Sequence, residues 1–133
     1  MEASLPFECE LVQWLNEQTA LGCPCYTLVP ADRPDRFVTV ERTGGSCGAV
    51  LDRPSLAIQC WAPTAVDAAR LADTLSTVVL PSVYELPDVG YFSVASLYAY
   101  PLDERQPRYQ LTASAVVHKA YSKQASTNAN KEA

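Results

Sequence analysis

Apolar residues recur along this chain with two different periods, and the change between them is sharpest from Arg53 to Val79. In 53-RPSLAIQCW-61, Leu56, Ile58 and Cys60 share one face and Ala57, Gln59 and Trp61 the other, the period of two expected of a strand. After Pro63 the spacing becomes three and four, so that Ala65, Ala68, Leu71, Ala72, Leu75, Val78 and Val79 form one helical stripe. Thr64 stands where an N-cap belongs, with Asp67 three residues on as the acidic partner of a capping box, and Pro81 is expected to stop the helix. The small residues Ala65, Ala68 and Ala72 would let this helix lie close on a sheet.

The same reading places a first helix from about Leu5 to Gln18, with Ser4 as its cap and Phe7, Leu11, Trp14 and Leu15 on one face. The stretch 20-ALGCPCYTLVPADRPDR-36 carries Gly22, Pro24, Pro30 and Pro34, which leaves room for one short strand over Tyr26–Val29. A β-branched run, 36-RFVTVER-42, predicts a strand with Val38 and Val40 on one side and Phe37 and Thr39 on the other, followed by a turn at 43-TGGSCG-48. Two further alternating runs, 89–100 and 108–120, read as a long antiparallel hairpin around the polar, proline-flanked 101-PLDERQP-107. In the second run Tyr109, Leu111, Ala113, Ala115 and Val117 face one way and Arg108, Gln110, Thr112, Ser114 and His118 the other, as in a sheet with one covered and one open face. The predicted fold is α+β, with two helices packed on one face of a mostly antiparallel sheet. Residues 1–120 make the domain, and 121-YSKQASTNANKEA-133 is too polar to fold alone and is expected to be a disordered tail.

Size and charge narrow the functions. At 133 residues and 48% hydrophobic content the chain can bury one ordinary core. A net charge of -5, with no local cluster of Lys and Arg, argues against gripping nucleic-acid phosphates. No 18-residue apolar run and no signal-like N-terminus is present, so a cytosolic protein without a membrane partner is expected. Five cysteines, an odd number, read as free thiols in such a compartment, with Cys60 packed in the core.

Candidate chemistry is sparse. Cys23-Pro24-Cys25 could bind a metal or exchange a disulfide, but two further zinc ligands at suitable spacing are missing, and a thioredoxin-type pair has two intervening residues at a helix start. His118 is the one side chain suited to general base work near neutral pH, and it lies among polar strand residues without a motif around it. Ser46 in 44-GGSCG-48 misses the nucleophile-elbow pattern, and the glycines precede neither a helix nor a Lys-Ser/Thr pair. Asp32 with Asp35, and Asp103 with Glu104, read as solvated loop carboxylates. No catalytic residue, cofactor or metal site is expected.

The runs 36-RFVTVERTGG-45, 52-DRPSLAIQCWAPTAVDAARLADTL-75 and 107-PRYQLTASAVVH-118, together with the amphipathic helix from Phe7 to Gln18, carry a resemblance over about residues 5–119. The chain resembles the tail terminator proteins of long-tailed bacteriophages, which cap the head-proximal end of the tail tube. The resemblance implies a ring, usually of six subunits, that stops tube growth and offers a face to the head–tail connector. Its partners would be the tail tube protein, the connector or head completion protein and further copies of itself, assembled in the host cytoplasm and located in the neck of the virion. DNA would pass through the lumen without specific binding, which a negative balance suits. If such a ring forms, the glycine loop Thr43, Gly44, Gly45 and the charged hairpin tip Asp103, Glu104, Arg105 are the candidate subunit contacts, because glycines admit a neighbour's backbone and charged tips pair by complementarity. The alternatives are another head–tail connector or neck protein, and a cytosolic thiol or metal-binding protein built on Cys23 and Cys25.

Overall fold

The computed structural model describes residues 5–100 and 106–119. The chain is α+β: helix α1 (Phe7–Asn16), strands β1 (Cys25–Tyr26), β2 (Phe37–Gly44), β3 (Leu51–Asp52) and β4 (Ser55–Trp61), helix α2 (Ala65–Thr74), and strands β5 (Val89–Tyr100) and β6 (Arg108–His118). All strand pairs are antiparallel except β1 with β2. Strand β6 is the organising strand. One of its edges pairs with β4 and then with β3, which lie end to end, and the other pairs with β5, so the sheet runs β1, β2, β4 with β3, β6, β5.

Both helices pack on the same face. Phe7, Leu11, Trp14 and Leu15 of α1 and Ala68, Leu71 and Ala72 of α2 share one core with Val38, Val40, Leu56, Ile58, Cys60, Leu111, Ala113, Ala115 and Val117. These are the strand residues that the period of two assigns to the covered side. Trp14 Nε1 also donates to Glu85 Oε1 at 3.1 Å, which ties α1 to the segment after α2.

The differences from the sequence reading lie at element ends. Helix α1 begins after Pro6, which holds the cap position with extended backbone, and the expected cap Ser4 lies outside the described residues. Helix α2 starts as expected, with Thr64 Oγ1 accepting from Asp67 N at 3.1 Å. It does not stop at Pro81. A π turn over Leu75–Val79 passes into a 3₁₀ helix over Leu80–Glu85, with Pro81 near its start, where the missing N–H costs nothing. The wider π turn shifts the phase of the stripe, so Val79, Leu80 and Val83 are buried while Val78 is exposed. Strand β1 is two residues long, not four, and β2 runs on through Thr43 and Gly44, which the sequence assigns to the turn. The proposed tail from Tyr121 lies outside the described residues.

Trp61 occupies the opposite face from the helices and is nevertheless only 1% exposed, stacked on Phe37 with ring centroids 5.3 Å apart. Its Nε1 donates to Thr39 Oγ1 at 3.1 Å. We expect Trp61→Ala to cost about 3–5 kcal/mol in urea unfolding, as for other fully buried aromatics; a loss below about 1 kcal/mol would place the ring outside any core.

Candidate functional surface

The face away from the helices is built in rows that follow the strand register. The first row is Phe37, Trp61, Arg108 and Tyr100, each directly opposite the next across β2, β4, β6 and β5. The Arg108 guanidinium lies 4.5 Å from the Trp61 ring and 4.0 Å from the Tyr100 ring, and Arg33 reaches Trp61 at 5.0 Å. Stacking between rings lets a planar guanidinium sit in a partly desolvated place. The second row is Thr39, Gln59, Gln110 and Tyr98, linked side chain to side chain: Gln59 Nε2 to Gln110 Oε1 at 2.8 Å, and Gln110 Nε2 to the Tyr98 hydroxyl at 2.7 Å. Arg108 Nη1 donates across the rows to Gln59 Oε1 at 3.2 Å. Beyond them lie small polar residues, including Ser55, Ser114 and Ser93 in register. The proline-rich loop before β2 covers the aromatic end, held by Gln106 Nε2 donating to Asp35 O at 2.9 Å. The face is thus lidded at one end and open at the other.

The sheet's two edges are treated differently. At β1, the Asn16 side chain takes the place of a strand: its Nδ2 donates to Cys25 O at 3.0 Å and its Oδ1 accepts from Cys25 N at 2.8 Å. At β5, the Tyr84 hydroxyl accepts from Phe92 N at 3.1 Å and donates to Phe92 O at 3.4 Å. Each plug occupies one outward peptide of an edge that would otherwise template pairing.

The loop after β2 carries three of the six predicted contact residues. Thr43 and Gly44 finish the strand, and Gly44 pairs with Ser55. Gly45 has φ +96°, and a Cβ there would collide with the Arg53 carbonyl of its own chain. The close approach that this glycine permits is therefore internal. Arg42 pins the loop by donating through Nη1 to both Asp52 carboxylate oxygens at 2.9 Å and through Nη2 to Gly45 O at 3.2 Å. Arg53 N donates to Ser46 O, and Cys47 bridges Asp52. The other three, Asp103, Glu104 and Arg105, lie outside the described residues.

The remaining candidates stay apart from one another. Asp32 and Asp35 are exposed in the proline-rich loop, and Ser46 is exposed in the turn. His118 ends β6 opposite Leu51, at a cleft of about 250 Å³ that also takes in Glu8, Cys47 and Lys119, where Lys119 Nζ donates to Cys47 Sγ at 2.8 Å. All five cysteines are free. Burial pushes the Cys25 thiol up to about 12, with the neighbouring Cys23 adding to the rise, and burial likewise raises Cys23 and Cys60. That is the direction opposite to an activated thiolate. Among the described residues no group of three or more His, Cys, Asp or Glu is placed to hold a metal, and no helix is long and apolar enough to cross a membrane.

Sequence reasoning missed Asn16, Tyr84, Arg42 and Asp52. Each acts through a partner 8 to 10 residues away in sequence. Only Asp52, an acid between two apolar stretches and two residues before Pro54, carried a local hint. Compared with known proteins, the chain matches no family model and no curated sequence.

Two outcomes follow from this geometry. Gly45→Ala is expected to destabilise by at least about 1–3 kcal/mol, since it combines a left-handed backbone with a clash on Arg53, whereas Gly44→Ala meets open space and costs less. A Gly45→Ala protein as stable as the parent in urea would contradict the placement of the loop. For the thiols, the folded state holds the Cys25 proton up to about 12 while the unfolded chain releases it near the ordinary value of 9.0. Unfolding then releases protons in that window, so stability is full below pH 9.0 and falls as pH rises toward about 12. The measurement is thermal unfolding across that range, with Cys25→Val as the comparison whose slope is shallower.

Proposed function

We propose that this chain is a structural subunit of a phage tail, closing the head-proximal end of the tail tube as a ring and offering the surface to which the head's connector binds. The observation that carries the reading is how the resembling runs lie in the fold. Residues 36–45, 52–75 and 107–118 supply β2, then β4 and α2, then β6, which are adjacent in space as the centre of one sheet and its covering helix. The sheet's second face also favours an assembly role. It is ordered by the amide and aromatic rows and ends in small polar residues, which suits repeated contact with identical neighbours more than a small-molecule site. Thiol chemistry at Cys23 and Cys25 is disfavoured by their burial, which raises both thiols.

In this role the glycine loop at Thr43–Gly45, at the open end of the sheet, and the charged residues Asp103, Glu104 and Arg105 serve as contact elements. Each subunit contact needs about 1,200–2,000 Å² of total buried surface to hold by itself, and less suffices where the tube end templates the ring. If charges at the hairpin tip bridge subunits, assembly weakens with added salt.

The test is tail-length control. Particles made without this protein should carry tubes that overgrow and do not join heads. Tubes of normal length that fail to join heads would instead make this a neck or connector protein, and normal tails attached to heads would overturn the structural assignment altogether.

A further inference from the structure

The ring reading names loops that touch a neighbour but no backbone pairing between subunits, and the sheet edges offer one. Strand β6 turns the backbone groups of its odd-numbered residues toward β4, as Ala115 N donating to Pro54 O shows, and those of its even-numbered residues toward β5, as His118 N donating to Asp88 O shows. The β5 residues opposite odd-numbered partners therefore point their own N–H and C=O outward. Before the register shift at Val94/Ser96 these are Phe92 and Val94, opposite Ala115 and Ala113. After it they are Leu97 and Ala99, opposite Leu111 and Tyr109. Tyr84 occupies Phe92. From Ser96 to Tyr100 the register runs without a shift, and no described residue bonds the outer edge.

The opposite edge mirrors this. Asn16 occupies Cys25, and the chain beyond it, Thr27, Leu28 and Val29, bends away with no backbone hydrogen bond to a described residue before Pro30 ends any pairing. Strand β1 is parallel to β2 and hence to β6, so it is antiparallel to β5. An antiparallel register that sets Thr27 against Ala99 sets Val29 against Leu97 and Leu28 against Tyr98. All of these last four are exposed large apolar side chains: Leu28 at 80%, Leu97 at 42%, Tyr98 at 40% and Val29 at 39%. If the segment continues the alternation of β1, with Cys25 toward the core and Tyr26 against Phe37, each pair falls on a common face.

We propose that Thr27–Val29 of one copy straightens and pairs antiparallel with Leu97–Ala99 of the next, so that the sheet continues from subunit to subunit and closes into a ring. This rests on the ring reading and specifies its contact. The joint is heterologous, because the two halves are different surfaces, and such joints close by rotation. The two plugs, Asn16 and Tyr84, confine pairing to this one short window and so fix the register.

The test uses sedimentation velocity on the full chain with Leu28→Lys and Leu97→Lys, both at exposed positions. The parent should sediment as a closed oligomer and each variant as a 14.5 kDa monomer, with the contact weakened at least about tenfold. Mixed in equal amounts, the two variants keep one compatible joint, so they should form a heterodimer and nothing larger. If Leu97→Lys dissociates while Leu28→Lys assembles normally, β5 pairs with itself and the proposal is overturned. If the parent forms rings and both variants do too, the edges are not the contact, although the ring stands. A parent that stays monomeric even on tube ends overturns both readings. Should a variant fail to fold, hydrogen exchange on the parent decides: the amides of Thr27, Val29, Leu97 and Ala99 must slow on assembly, and unchanged exchange refutes the pairing.

Discussion

Two helices cover one face of a six-stranded sheet, so the other face must be closed by the sheet's own side chains. The row Phe37, Trp61, Arg108, Tyr100 meets that constraint. It crosses four strands, and it lets a large indole reach near-complete burial with no helix above it. The arginine makes this possible. A guanidinium stacked between two rings offers apolar planes to both while its edge donates to Gln59, and such contacts contribute about 1–2 kcal/mol each where water is excluded. The cost is visible as well, because Arg108 Nε is buried without a partner. Everything on this side, from the Gln106 clasp on the proline-rich loop to the amide row beside it, sits in register with that row.

The same economy governs the edges. A sheet of this width presents a row of peptide groups at each edge, and the fold blocks one position on each with a single side chain. Asn16 does so from the last turn of α1, and Tyr84 from the 3₁₀ turn, which exists because Pro81 follows a π turn. The irregular end of α2 thus has a structural use: an ordinary α-helix stopped at Pro81 would carry no residue to that place. What the plugs leave open is short, apolar and of matching direction at the two ends.

The parts of the fold that obey a local period were legible in the sequence. The faces of β2, β4 and β6, the stripe of α1, the Thr64 cap and the burial of Cys60 and Trp14 all follow from spacing alone. The parts that depend on distant partners were not. Strand β3 is two residues long, and its Asp52 is held by Arg42, a pair that no period announces. Gly45 read as room for a neighbour, whereas its positive φ serves a close pass of Arg53. The burial of Trp61 depends on a loop clasped by Gln106 from 71 residues away. Of the candidate contact surface, the loop at Thr43–Gly45 could be named from its glycines, but the edge residues Leu28 and Leu97 look like ordinary members of apolar runs.

The proposed ring draws on a one-sided helical cover and two sheet edges left open over short, apolar segments. Electron microscopy of the purified full chain tests that claim most directly. The account predicts closed rings with a central hole and a single subunit number in end-on averages. Single subunits both in solution at every concentration and on purified tail-tube ends, or open filaments that never close, would contradict it.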